Sequence, residues 1–143
     1  MLLYKIQQTP GIAYIFIFLS ENFADRMNIE ELRDYCISMK GVEETLPFGP
    51  KTLVFKVMGK AFLLTGLDSK PMQFNVKCDP EKAIELRDRY SCVLPGYHMN
   101  KKHWNTVIVD GSVNTKQLYD WINDSYTLVV SGLTKVQQKK LMN

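Results

Sequence analysis

The chain has 143 residues, 45% of them hydrophobic, which is enough for one domain to bury a sizeable core without disulfides or a structural metal. Its 18 basic and 15 acidic residues nearly balance at a formal charge of +3, which excludes a strongly basic nucleic-acid-binding protein and requires a local patch to meet any anionic partner. The three cysteines are odd in number and form no C-x-x-C pair, so a reducing cytoplasm is expected rather than a disulfide framework or a zinc ribbon.

Residues 1 to 26 differ in character from the rest of the chain. The apolar run from Pro10 to Leu19 is about half as long as the roughly 20 residues that a membrane-spanning helix needs. No clear cleavage site follows it, so we expect neither a membrane span nor a secretion signal. We interpret residues 1 to 26 as an N-terminal extension. It is either the product of a start codon upstream of Met27, or an ordered segment that adds a strand or packs on a neighbouring subunit in a homodimer.

A helix is predicted at the start of the domain. Asn28 followed by Glu31 is a capping box, and apolar residues then recur at helical spacing. The pattern predicts a helix from about residue 28 to residue 40, ended by Gly41.

A hairpin is predicted next, from two alternating segments that flank Gly59-Lys60. A glycine in the first position predicts a two-residue turn, which pairs Phe55 with Leu64 and divides the hairpin into two faces. The core face then consists of Leu53, Phe55, Val57, Phe62 and Leu64. The mixed face consists of Val54, Lys56, Leu63 and Thr65.

The remaining elements follow in order. A strand from residue 72 to residue 78 points Phe74, Val76 and Cys78 towards the core, and Asp79-Pro80 begins a helix that ends near residue 90. Two strands at 92–98 and 104–109, a long helix that begins at Asn114 or Thr115 and ends at 132, and a short basic helix at 135–142 complete the chain. The order αβββαββαα predicts an α+β domain over residues 27–143, with an antiparallel sheet and helices on one face.

A family resemblance covers this domain from Met27 to about Leu141. It is carried by the segments MNIEELRDYC, KGVEETLPFG, LVFKVMGKAFLL, VKCDPEKAIELRDRY, PGYHMNKKHWNTV and SYTLVVSGL. In these segments the chain resembles the MmcQ/YjbR family of small bacterial proteins. The resemblance implies a CyaY/frataxin-like fold and DNA binding through paired hairpins beside a helix, with no catalytic residue to carry over. The chain departs from the family pattern at Pro50-Lys51 and at Ala61.

Metal binding and catalysis have little support in the sequence. His98 and His103 match no zinc-ligand spacing with Cys92 or Asp110, and Arg33 interrupts the carboxylates that an iron-binding helix would need. There is no G-x-S-x-G, no glycine-rich phosphate loop and no H-E-x-x-H. We therefore predict no metal, no cofactor and no enzymatic activity.

Three further polar groups have structural interpretations. Cys36 and Cys78 fall on apolar faces and are expected to be packed thiols with ordinary pKa values. Ser125 lies on the long helix, where its hydroxyl is expected to bond back to the preceding turn or to cap a packing contact.

Basic and aromatic residues collect at two predicted hairpin tips and on the mixed face. Lysines at two tips can straddle a phosphate backbone, and an aromatic ring can stack on a base. Lysines at such positions also protect ordinary sheets from aggregation, so a solvated surface is the alternative interpretation. The candidate residues for binding double-stranded DNA are Lys56, Lys60, Lys77, Lys101, Lys102, His103 and Trp104.

A second hypothesis is a protein or small-ligand interaction module that uses the mixed face and shows no salt dependence. Its predicted pocket is lined by Val54, Leu63, Thr65, Asn75 and Trp104. The DNA hypothesis instead requires both hairpin tips to lie on the same side of the domain.

Overall fold

An antiparallel sheet backed by helices forms residues 26–143, the part of the chain that the computed structural model describes. The α+β class is as predicted. The predictions of an extension and of a dimer contact for residues 1 to 26 fall almost wholly outside the described residues. The elements are α1 (Ile29–Ser38), β1 (Val42–Thr45), β2 (Thr52–Val57), β3 (Lys60–Gly66), β4 (Gln73–Lys77), α2 (Pro80–Arg89), β5 (Val93–Pro95), β6 (Trp104–Ile108), α3 (Thr115–Ser131) and α4 (Lys135–Met142).

The sheet has six strands in the order β1-β2-β3-β4-β6-β5, and every neighbouring pair is antiparallel. Strand β1 was missing from the predicted order αβββαββαα, because its sequence, VEET, is short and rich in charge. It forms at the edge of the sheet by pairing with β2, and the Glu44 carboxylate accepts two 2.6 Å hydrogen bonds from the Arg33 guanidinium of α1. Charged edge strands of this kind discourage further strand addition.

The hairpin turn between β2 and β3 lies one residue earlier than predicted. Its central residues are Met58 and Gly59, with φ of 50° and 79°, so Val57 pairs with Lys60. Two-residue hairpins favour turns with positive φ at both central residues, because the twist of such turns matches the twist of the strands. The prediction of a Gly59-Lys60 turn was wrong because it did not allow for methionine in the left-handed region.

A β-bulge follows the turn and moves three side chains to the opposite face. The register shifts between Phe55 and Lys56, so that Lys56 lies opposite Ala61 but Phe55 lies opposite Leu63. Phe62 is the extra residue and is completely buried. Because directly paired residues share a face, the predicted faces were wrong for Leu63, Leu64 and Thr65.

The helices cover one face of the sheet, as predicted. Strand β4 has the predicted register, with Phe74 and Val76 buried in the core. Helices α1 and α2 begin at the predicted caps Asn28 and Asp79, and α3 begins at Asn114, one of the two predicted starts. The side-chain oxygens of all three accept backbone N–H groups of the first turn. The largest buried side chains between sheet and helices are Leu32, Phe55, Phe62, Leu63, Phe74, Leu118 and Ile122.

Ser125 of α3 joins the helix to two strands. Its buried hydroxyl donates to the Phe62 carbonyl at 2.6 Å and accepts the Lys77 N–H at 2.8 Å. Direct pairing of β3 with β4 runs from Thr65 to Leu63, so the hydroxyl occupies the place of the next rung of the ladder. Of the two predicted roles, the bond to the preceding turn was wrong, because the hydroxyl donates instead to the Phe62 carbonyl, which the bulge leaves available.

The neighbouring residue, Tyr126, fastens the other side of the same helix. Its hydroxyl donates to the Lys40 carbonyl at 2.6 Å, beyond the end of α1, and its ring meets that of Phe62 edge to face at 5.5 Å. Helix α3 therefore holds both the bulged hairpin and the segment that leads into β1.

Replacing Ser125 with alanine is expected to lower the free energy of unfolding by roughly 2–4 kcal/mol, because it leaves a buried carbonyl and a buried N–H without partners. Chemical denaturation of the two proteins measures this difference. Ser131→Ala is the matched control on the same helix, where an exposed hydroxyl bonds only to the Leu128 carbonyl, and a loss below about 0.5 kcal/mol is expected. Equal losses in the two variants would contradict the bridging role of Ser125.

Candidate nucleic-acid interface

Both basic turns lie at the same end of the sheet. The first, Met58-Gly59, joins the end of β2 to the start of β3. Strand β4 runs antiparallel to β3 and ends at Lys77, which pairs with Trp104, the first residue of β6. The loop at 96–103 between β5 and β6 therefore reaches the same end as the hairpin turn. We call this end of the sheet the basic end, and define it by Lys56, Lys60, Lys77, Lys101, Lys102, His103 and Trp104.

The strand order also gives the separation of the two turns. The centre of the β2–β3 turn and the centre of the β5–β6 loop are three strand spacings apart in the order β2-β3-β4-β6-β5. At about 4.8 Å per spacing, this corresponds to roughly 14 Å. The DNA hypothesis requires both hairpin tips to lie on the same side of the domain, and the strand order meets this requirement.

The seven candidate residues share this end but not one face. The side chains of Lys56, Lys77 and Trp104 lie on the face of the sheet that points away from the helices. Lys60, in contrast, lies opposite the core residue Val57. Lys101 and Lys102 are exposed in the loop. The remaining members are half-buried: Lys56, Lys77, His103 and Trp104.

The positive charge of the basic end is not neutralised by ion pairs within residues 26–143. The ion pairs of that range involve Arg33, Lys51, Lys82 and Lys116, and none involves a lysine of the basic end. Glu43 lies opposite Lys56 in the strand pairing and is the acidic neighbour of this end on the adjacent strand. The lysine side chains of the two turns are therefore available to an anionic partner.

The loop at 96–103 is held in shape by hydrogen bonds to its own backbone. The Asn100 carbonyl accepts the N–H groups of His103 and Trp104 at 3.2 and 3.0 Å, and its side-chain oxygen accepts the Lys102 N–H at 2.9 Å. Gly96 donates to the Trp104 carbonyl at 2.9 Å, and a Cβ on Gly96 would lie 2.8 Å from the Cβ of Trp104. Glycine is therefore required where the two arms of the loop meet.

Arg87 of α2 fixes the loop at 96–103 through hydrogen bonds, and it was not predicted from the sequence. Its Nε donates to the Asn105 side chain at 2.7 Å, and Nη2 donates to the carbonyls of Lys101 and Trp104. Asn105 is itself buried and donates to the Ala83 carbonyl of α2. The sequence carries no local signal for this contact, because the partners are 14 to 18 residues away.

Tyr97 is a second residue that sequence reasoning did not single out. Its side chain is 66% exposed, and its ring packs against that of His98 at a centroid distance of 4.0 Å. Its N–H donates to the Thr106 hydroxyl at 3.0 Å, which fixes its backbone to β6. Tyr97 therefore presents more aromatic surface at the basic end than the half-buried Trp104 does.

The pocket predicted for the alternative hypothesis is not formed. Leu63 and Thr65 lie opposite Phe55 and Leu53 on the helix-facing side, so they cannot line a pocket with Val54 on the other face. The other two predicted lining residues, Asn75 and Trp104, do lie on the face of Val54. The bulge at Phe62 is the reason, because it moves Leu63 and Thr65 to the helix-facing side of the sheet.

The thiols differ from expectation in their acidity. Burial raises the pKa of Cys36 to about 12 and also raises the pKa of Cys78, so the prediction of ordinary values was wrong. Within residues 26–143 no three histidine, cysteine or acidic side chains are grouped as metal ligands would be. No helix of that range is long and apolar enough to cross a membrane.

Comparisons with known proteins give matches over most of the chain. A family model described as YjbR matches residues 37–128. The uncharacterized protein YbdF of Escherichia coli O157:H7 is 40% identical over 119 residues, which cover 82% of this chain and 97% of YbdF. The uncharacterized protein YjbR of Escherichia coli strain K12 is 34% identical and covers 81% of this chain and 98% of its own. A crystal structure of a Deinococcus radiodurans protein with a DUF419 domain is similar with a TM-score of 0.76 at 39% identity, covering 82% of this chain and 89% of that chain.

Replacing Arg87 with glutamine is expected to loosen the loop at 96–103, because two backbone carbonyls lose a charged donor. Amide hydrogen exchange at His103 and Trp104 should become about tenfold faster, which corresponds to about 1.4 kcal/mol of local stability. Arg89→Gln on the same helix is the control, because the Arg89 guanidinium lies 5.6 Å from the Tyr90 ring and makes no ion pair within residues 26–143. Unchanged exchange in the Arg87 variant would show that the loop holds itself.

Proposed function

The chain belongs to the YjbR family, and we propose that in this chain the basic end of the sheet binds double-stranded DNA without catalysing a reaction. The observation that carries the proposal is the topology that brings two lysine-bearing turns to one end of the sheet. The named relatives, YbdF and YjbR, are both described as uncharacterized, so geometry and charge are what support DNA binding here. A cytoplasmic location, favoured by three free cysteines, is part of the same proposal.

The spacing of the turns suits a DNA groove. Two turns roughly 14 Å apart are comparable in separation to the walls of the major groove, which is about 12 Å wide. Lysines at each turn can then contact phosphates on opposite sides of the groove, while Lys56 and Lys77 approach the backbone between them. Contacts of this kind position the protein without reading sequence, so weak sequence preference is expected.

The loop that carries Lys101 and Lys102 is fixed in advance of binding. Arg87 and Asn100 hold its backbone, so fewer backbone degrees of freedom are lost when DNA binds. Only the lysine stems need to become ordered, and their charges tolerate variation in phosphate position. The arrangement favours moderate, strongly salt-dependent affinity.

The exposed ring of Tyr97 supplies the aromatic contact in this proposal. Trp104 is half-buried and forms part of β6, whereas Tyr97 lies in the loop beside the two lysines. A tyrosine hydroxyl can hydrogen-bond a phosphate of duplex DNA, and its ring can stack on a base where strands separate.

Charge reversal at the turns is expected to abolish most of the affinity for a labelled DNA duplex. In the protein with Lys60, Lys101 and Lys102 all changed to glutamate, the Kd should rise at least about tenfold at low salt. The slope of log K against log salt should fall by about 3, because three phosphate contacts are lost. Fluorescence anisotropy at several salt concentrations measures both quantities.

The matched control reverses three lysines at the other end of the sheet: Lys51, Lys70 and Lys116. It makes the same change in net charge, and the two surface ion pairs that it breaks contribute little to stability. Equal losses in the two triple variants would reduce the interaction to net charge and contradict a defined interface. Absence of binding by the unaltered protein at low salt would overturn the proposal, and binding that ignores salt would favour a protein or small-ligand interaction module.

Replacing Tyr97 with alanine is expected to raise the Kd for DNA about threefold to tenfold, because an exposed aromatic contact is lost. Tyr97→Phe separates the ring from the hydroxyl, since only a hydroxyl contact to phosphate would be lost in it. Phe48→Ala is the control, because Phe48 is 71% exposed in the β1–β2 connection at the opposite end of the sheet. An unchanged Kd in the Tyr97→Ala protein would remove this residue from the interface.

A further inference from the structure

An apolar cavity of about 170 Å³ lies between the helix-facing side of the sheet and helices α2 and α3. An apolar protein cavity of about 150 Å³ is large enough to bind benzene, so this one has room for one ring. Cys78, Asp79 and Asp124 also line it, and the two aspartates are exposed. Its apolar wall is formed by Val76, Leu86, Val93, Val107, Trp121 and Leu128.

Trp121 lines this cavity and also an adjoining polar surface pocket, and it carries a hydrogen-bond donor that the protein does not use. The side chain is 5% exposed and its ring meets Tyr90 edge to face at 5.0 Å, yet its indole N–H has no hydrogen-bond partner within residues 26–143. In that range no fully buried side-chain nitrogen or oxygen lacks a partner, so the indole nitrogen reaches accessible space. A buried tryptophan usually pairs this donor, and a ligand oxygen in the cavity would do so here.

Four charged residues of both signs line the cavity, Lys77, Asp79, Lys82 and Asp124, and Asp79 is already engaged as the N-cap of α2. Asp124 has no ion pair and no hydrogen bond within residues 26–143, and Asp120 lies one helical turn before it. Burial, followed by repulsion from Asp120, raises the pKa of the Asp124 carboxyl, and Lys82 offsets part of this effect. Lys82 itself lies 4.0 Å from Glu85. An ammonium group beside Asp124 would therefore stabilise a carboxylate that has no direct ion-pair partner within residues 26–143.

We propose that this cavity binds a small arylalkylamine, a molecule with one aromatic ring and an ammonium group on a short chain. The ring occupies the apolar cavity, the ammonium lies beside Asp124, and a hydroxyl on the ring accepts the Trp121 N–H. The site lies on the helix-facing side of the sheet and shares Lys77 with the basic end, but ligand binding there does not require DNA.

Calorimetric titration with tyramine tests the proposal on the full chain. A compound of this size is expected to bind with a Kd near or below about 1 mM. The carboxylate analogue 3-(4-hydroxyphenyl)propionate should bind at least about tenfold more weakly, and phenethylamine, which lacks the hydroxyl, should bind several-fold more weakly. In parallel, the indole N–H resonance of Trp121 should shift in the nitrogen-correlated NMR spectrum as tyramine is added.

Two substitutions separate the parts of the site. Asp124→Asn should weaken tyramine about tenfold but leave the neutral compound 4-ethylphenol unchanged, whereas Asp88→Asn on α2 should affect neither. Leu128→Trp, at the half-buried wall, should block every compound while the unliganded spectrum confirms folding.

The outcomes that overturn the proposal are equally specific. One is a folded protein that does not bind tyramine. Another is equal affinity for the amine and the carboxylate. A third is tyramine binding that persists in the Leu128→Trp variant.

Discussion

The Ser125 hydroxyl is the contact on which the arrangement of the sheet depends. It donates to the carbonyl of Phe62, the bulge residue, and accepts the N–H of Lys77, the last residue of β4. One buried side chain therefore fixes where β3 and β4 separate. The end of β4 in turn determines that Lys77 lies opposite Trp104, from which β6 runs back across the sheet. The neighbouring Tyr126 extends the same attachment to the carbonyl of Lys40. Helix α3 therefore positions both turns of the basic end without contributing a residue to it.

Local signals predicted the elements that depend on local chemistry. The caps Asn28 and Asp79 begin their helices where the sequence predicts, Asn114 is one of the two starts predicted for α3, and β4 keeps its predicted alternation. The hairpin could not be predicted in the same way, because the turn residues and the bulge act together. The predicted turn, Gly59-Lys60, and the observed turn, Met58-Gly59, are offset by one residue. A shift of one residue in the strand pairing moves side chains to the opposite face of the sheet.

What the sequence could not show is held by contacts between distant segments. Strand β1 is stabilised at the edge by the bidentate hydrogen bonds between Arg33 and Glu44, which no strand propensity of VEET would reveal. The lysines of the basic end were found by their position at turns, but Arg87, which fixes one of those turns, lies on a helix with no pattern that points to it. Tyr97 was passed over because a tryptophan stood in the same segment, and only burial distinguishes them.

Helix α2 links the basic end to the apolar cavity through adjacent residues. Leu86 lines the cavity, and Arg87, the next residue, donates to the carbonyls of Lys101 and Trp104. Asn105 closes the connection, because it lines the cavity, accepts from Arg87 and donates to the Ala83 carbonyl. A displacement of α2 large enough to widen the cavity would lengthen these hydrogen bonds, and each lost bond to the charged guanidinium costs about 1.5–3 kcal/mol. The cavity is therefore held near the size of one ring by the same contacts that hold the lysine loop.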